Sequence, residues 1–196
     1  MQLKKYILTL LFSLVFVMSC SETMPLKEYK DASALRDKTI RYNLQNYSKE
    51  QFDIAEAKFS EAVILIDENK EPAKVKELLT NASISYQMVL DEGLPQYAAV
   101  LKEETSEERG YSKEVKAYRV DKDNYEFAEL NYINALSALS TNNYEEAVNC
   151  FLNVKKYHHK AYFTTKKRYD ESARGLKEAE DKIKQVDELE KTSSKK

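Results

Sequence analysis

A chain of 196 residues with 42% hydrophobic and 33% charged side chains is long enough to bury a core and too apolar to be disordered by composition. Its formal net charge of −2 argues against general nucleic-acid binding. Three glycines and three prolines are too few for a fold of hairpins and βα turns, so the composition points to long helices.

Residues 1–20 read MQLKKYILTLLFSLVFVMSC. Lys4 and Lys5 form a basic start, Tyr6 to Met18 an apolar run of 13 residues, and Ser19 a small residue before Cys20. This is the layout of an export signal over 1–19, and the run is shorter than the ~20 apolar residues of a membrane-spanning helix. Val17-Met18-Ser19-Cys20 resembles a lipobox, the recognition site of lipoprotein signal peptidase. That resemblance implies cleavage before Cys20, a diacylglycerol thioether on its sulfur, and acylation, commonly palmitate, at the new N-terminus. With residues 1–19 removed the net charge falls near −4, because Lys4 and Lys5 leave with them. Cys150 would then be the one unmodified thiol, with no partner for an intramolecular disulfide.

Residues 20–25 read as the lipidated cysteine and a tether, 26–190 as one helical domain, and 191–196 as a flexible tail. The first helix is expected over about 26–45, with Leu26, Tyr29, Ala32, Leu35 and Ile40 on its apolar side. Ser48 and Gln51 have capping-box spacing. A helix over about 49–68 carries Phe52, Ala55, Phe59, Ala62, Val63 and Ile66 on one face. Pro72 suits a first helical turn. The helix it opens is predicted to stop at Gly93 and Pro95. Residues 94–122 are ambiguous, and Asp123 and Glu126 offer a cap before a helix over about 124–140. Thr141-Asn142-Asn143 predicts a turn, followed by a helix from Tyr144. A last helix is expected over about 161–190, with Tyr169, Leu176 and Ile183 at heptad spacing and Ala179 and Val186 between them.

One pattern occurs four times: Ala, an aromatic four residues on, and a small or β-branched residue three further on. The copies are Ala55-Phe59-Ala62, Ala82-Tyr86-Val89, Ala128-Tyr132-Ala135 and Ala147-Phe151-Val154. Each set lies on one helix face, where Ala admits a neighbouring helix and the aromatic fills the space beside it. The copies form two helix–turn–helix pairs, about 49–91 and 124–157. In Asn143-Tyr144-Glu145-Glu146-Ala147, followed by Phe151 and Val154, the chain resembles tetratricopeptide repeats. Ala82, Tyr86 and Val89 match the same second-helix positions. The family's Gly in the first helices and the Pro after the second are missing, and the pairs do not abut. The expected fold is therefore all-α: antiparallel hairpins, tetratricopeptide-like or a helix bundle, with a long C-terminal helix.

Little in the sequence points to chemistry. His158 and His159 are adjacent, about 100° apart on a helix, and badly placed to share a metal. Cys150 reads as a small hydrophobe. With no phosphate loop and no nucleophile elbow, the chain is expected to be no enzyme and to need no cofactor or metal. From Lys155 to Arg168 six basic residues occur without an acid: Lys155, Lys156, Lys160, Lys166, Lys167 and Arg168. They are a candidate patch for an anion or a partner, or a solvated face near a helix end. If the chain turns at His158-His159, both clusters meet at one corner and both histidines add charge as pH falls. The expected function is a lipid-anchored scaffolding or protein-binding module of the cell envelope, facing the periplasm or exterior. The tetratricopeptide resemblance implies a protein or peptide partner, with no nucleic acid. The alternative is a small-molecule or lipid-binding component attached to an uptake system.

Overall fold

The computed structural model describes residues 23–193. Residues 1–19, where an export signal is expected, and Cys20 lie outside the described residues. Among the described residues six helices and a 3-10 turn follow in order: α1 (Leu26–Arg41), the turn (Leu44–Asn46), α2 (Lys49–Asp67), α3 (Pro72–Glu114), α4 (Ala117–Val120), α5 (Lys122–Ser140) and α6 (Tyr144–Ser193). No strand occurs among the described residues, so the fold is all-α with a long C-terminal helix.

Two helices run further than the breakers suggest. Gly93 and Pro95 do not stop α3, which continues to Glu114 over 43 residues. A proline inside a helix costs about 3 kcal/mol, because it removes a hydrogen bond and crowds the carbonyl four residues back. Leu90, Leu94, Ala98 and Leu101 are buried at helical spacing on both sides of it. Each buried leucine is worth about 1.5–3 kcal/mol, so the stripe outweighs the break. Nor does the chain turn at His158-His159. Val154, His158, Ala161 and Thr165 form one buried stripe, and α6 is continuous over 50 residues.

Two caps also differ from expectation. Ser48 is the N-cap of α2, yet its hydroxyl donates to Glu92 rather than to the helix backbone. The N-cap before α5 is Asp121, two residues ahead of Asp123, and its carboxylate accepts from the Asn124 amide at 2.7 Å. Before α6 the turn is as read. Asn143 accepts from the Glu146 backbone N–H at 3.4 Å and donates to its carboxylate at 2.6 Å, a reciprocal cap.

The chain divides into two compact units between Glu92 and Gly93. In the first, Ala32 of α1, Ala55, Phe59 and Ala62 of α2, and Val75, Leu79, Ala82 and Tyr86 of α3 form one buried cluster. The second buries Ala128 and Ala135 of α5 and Ala147, Phe151, Val154 and His158 of α6.

The two units repeat one plan. Seventy-three residues separate Arg36 from Arg109, Ala55 from Ala128, Glu56 from Glu129 and Ala62 from Ala135. The offset holds for conformation as well as identity. Asn43 and Lys116 are left-handed, with φ of 55° and 57°. Asn69 and Asn142, after α2 and α5, are left-handed at 52° and 57°. Ser48 and Asp121 are N-caps with nearly equal dihedrals. Past the second turn the offset becomes 72, pairing Leu79 with Phe151 and Tyr86 with His158. The repeating element is thus three helices: the two of each predicted pair and one before them.

Candidate functional site

The most ordered polar chemistry in each unit is a clamp between helices. In the first unit, Arg36 of α1 donates from Nε and Nη2 to the two carboxylate oxygens of Glu56 of α2, at 2.7 and 3.0 Å. Tyr86 of α3 donates its hydroxyl to Glu56 Oε1 at 2.6 Å, and the guanidinium lies 5.6 Å from the Phe59 ring centroid. One carboxylate therefore ties three helices. Burial pushes Glu56 up, but the bonds from Arg36 and Tyr86 outweigh it and hold the carboxyl below its ordinary range. Burial and then Glu56 push the Tyr86 hydroxyl far up, so it stays a donor.

The second unit repeats the arrangement atom for atom on the arginine side. Arg109 donates from Nε and Nη2 to Glu129 at 2.9 and 2.8 Å. It stacks over Tyr132 with 3.8 Å to the centroid. The bonds from Arg109 hold Glu129 below its ordinary range. In place of Tyr86 stands His158, fully buried, with Nε2 at 3.1 Å from Glu129 Oε1 but off the line of a hydrogen bond. Its Nδ1 lies 2.8 Å from the hydroxyl of buried Ser112. Burial first, then Arg109, push the imidazole down to about 4 against the pull of Glu129, so it is neutral at pH 7.

Serine, histidine and glutamate in this sequence of contacts resemble a nucleophile, its base and an orienting acid. The repeat accounts for the arrangement without catalysis. Ser112 corresponds to Thr39, and each hydroxyl is within bonding distance of the carbonyl of its own helix arginine, at 3.1 and 2.7 Å. His158 corresponds to Tyr86, Glu129 to Glu56, and Ser112 is itself fully buried. Neither clamp was read from the sequence. Arginine, then glutamate 20 residues on, then an aromatic three further on, occurring twice at an offset of 73, is the signal that would have found them.

The six basic residues lie along one continuous helix rather than around a corner. Lys155 is tied to Glu104 at 2.7 Å, and Arg168 donates to the Val120 carbonyl at 3.0 Å. Lys167 is 4.0 Å from Glu171. Lys156 and Lys166 lie over the rings of Tyr157 and Tyr162. At 100° per residue Lys156, Lys160 and Lys167 share a face with exposed Phe163, while Lys155 and Lys166 occupy another. His158 is buried and neutral, so it adds no charge to this face near pH 6. His159 is half exposed, 3.6 Å from Glu108.

Comparing the units exposes a feature the periodicity did not flag. Phe127, Leu130 and Ile133 are exposed along α5 at three-residue spacing, winding from the flank of its buried alanines to the opposite side, where Ile133 is 63% exposed. Their counterparts on α2 are Ile54, Ala57 and Ser60. Phe127 meets Tyr157 edge to face at 4.5 Å, which brings Lys156 alongside the row. The strip is thus apolar along its length with a cation at one end.

Cys150 is half-buried, and burial raises its thiol. Among the described residues no group of His, Cys, Asp and Glu could hold a metal ion. Among the same residues no helix is long and apolar enough to cross a membrane. No family model, curated protein or solved structure matches the chain.

Proposed function

We propose that the protein is a non-enzymatic binding module of the cell envelope, lipid-anchored through Cys20, that holds a protein partner on its second unit. The observation that carries the binding is the row Phe127, Leu130 and Ile133. Two repeats of one plan keep corresponding core positions and the same arginine–glutamate pair, yet only the second carries large exposed apolar side chains at all three of these positions of its middle helix. Exposed apolar side chains in a row, with a polar rim, are what a partner helix or extended segment buries on docking. Lys156 and Lys160 on the neighbouring helix favour an acidic rim on that partner. The tetratricopeptide resemblance and the export layout support the same reading.

Photo-crosslinking tests it. A photoreactive residue replacing Leu130 in the full chain, activated in native envelopes, is expected to trap one discrete protein. The same residue replacing Ala57, its counterpart in the first unit, is expected to trap none. Ile133→Glu is expected to abolish trapping while leaving the melting temperature within about 2 °C, since the side chain is exposed. Equal trapping from positions 57 and 130, or full trapping in Ile133→Glu, rejects the strip as the binding surface.

A further inference from the structure

Beyond Thr165, α6 leaves the buried stripe of its own unit and runs on to Ser193. Residues 166–191 are exposed without exception. Tyr169, Leu176 and Ile183 recur there every seven residues, and Ser172, Ala179 and Val186 follow each by three. Leu176 is 66% and Ile183 61% exposed. A stripe with a period of 3.5 residues over three heptads, rimmed by charge, is the pattern on which two-stranded coiled coils are built.

We propose that residues 169–193 pair with the same segment of a second copy of this chain as a parallel, in-register coiled coil. The charges beside the seam select this occupant and this direction. Glu180 and Asp187 sit at the positions after the second seam residue of each heptad, and Lys182 just before the next first seam residue. In a parallel pair Lys182 of one helix faces Asp187 of the other, five residues on, and symmetry makes this contact twice. An antiparallel pair sets Glu180 against Asp187 instead, acid against acid. Ser172 and Ala179 keep the core layers narrow, which suits two helices closing on each other rather than three or four. The pairing is independent of the α5 strip and of the lipid anchor, since it uses no residue of either.

Sedimentation and disulfide trapping of the full chain in mild detergent test the pairing. The parent is expected to show a concentration-dependent monomer–dimer equilibrium. Ile183→Glu is expected to leave monomer with an unchanged melting temperature. Lys182→Glu is expected to weaken association about fivefold, and Lys182→Glu with Asp187→Lys to restore it. In a Cys150→Ser background, Leu176→Cys and Ile183→Cys are each expected to link to themselves on mild oxidation, above the level of the same chain without the added cysteine. Lys184→Cys, on the outer face, is expected not to. Antiparallel helices cannot bring both 176 to 176 and 183 to 183. A monomer at all concentrations overturns the proposal. So does linking at only one of the two seam positions, or equal linking at 184.

Discussion

His158 and Tyr86 occupy corresponding positions in the two units but respond differently to acid. Tyr86 carries no charge that changes between pH 7 and pH 4 and donates to Glu56 over that range, because its hydroxyl is pushed far above the ordinary value. His158 is buried neutral, pushed down from 6.5 to about 4. Between those values the unfolded chain binds a proton that the folded chain refuses. The stability is fully present above about pH 6.5 and is lost as pH falls through about 4, to a total of about 3 kcal/mol. The second unit is therefore expected to weaken first on acidification. Urea melts between pH 7 and pH 4 check this. The parent is expected to lose most of that stability over the window, His158→Tyr to flatten the loss, and His159→Gln to leave it in place. An acid limb unchanged by His158→Tyr would show that another group sets it. The adjacent histidines look equivalent in the sequence; their difference is burial, which depends on α3 bringing Ser112 against α6.

At the scale of the element, the hairpins were legible and the joins were not. Alanine and aromatic residues on one face announced α2, the start of α3, α5 and the start of α6, and Ala82, Tyr86, Ala147 and Phe151 are buried as that pattern requires. Ala147→Leu is expected to cost about 1–3 kcal/mol by overpacking. Phe151→Ala, which removes the ring set edge-on to Tyr132 at 6.1 Å, is expected to cost about 3–5 kcal/mol. Urea melts of both variants check the pair, and values within error of the parent would place that face outside the core. The joins failed because a local breaker competes with burial that only the folded chain supplies. Pro95 is outweighed by leucines on both sides of it, and Ser48 surrenders its capping role to a carboxylate 44 residues away. The clamps escaped for a related reason. A single arginine or glutamate on a helix reads as solvated surface, and only the recurrence of the pair at a fixed offset marks it as built.

For the whole molecule, the proposed anchor sets where the two units work. Six residues lead from Cys20 to Leu26 at the start of α1. At ~3.5 Å per residue that chain spans no more than about 21 Å, so an acylated Cys20 would hold the first unit against the bilayer. Charge would be a second source of membrane attachment, with Lys156 and Lys160 on one face of α6. Two or more acyl chains anchor a protein firmly, at about 0.8 kcal/mol per buried CH₂, whereas attraction of Lys156 and Lys160 to acidic headgroups is screened by salt within about 8 Å. The two contributions separate cleanly in a fractionation experiment. Cys20→Ala is expected to abolish labelling by a fatty-acid probe, to block removal of residues 1–19, and to leave the uncleaved chain attached only through its apolar start. Lys156→Glu with Lys160→Glu is expected to leave both labelling and membrane association of the parent intact in 1 M salt. Normal labelling of Cys20→Ala would remove the anchor from the account. Release of the lysine variant from the membrane in high salt would show that charge, not lipid, holds the protein there.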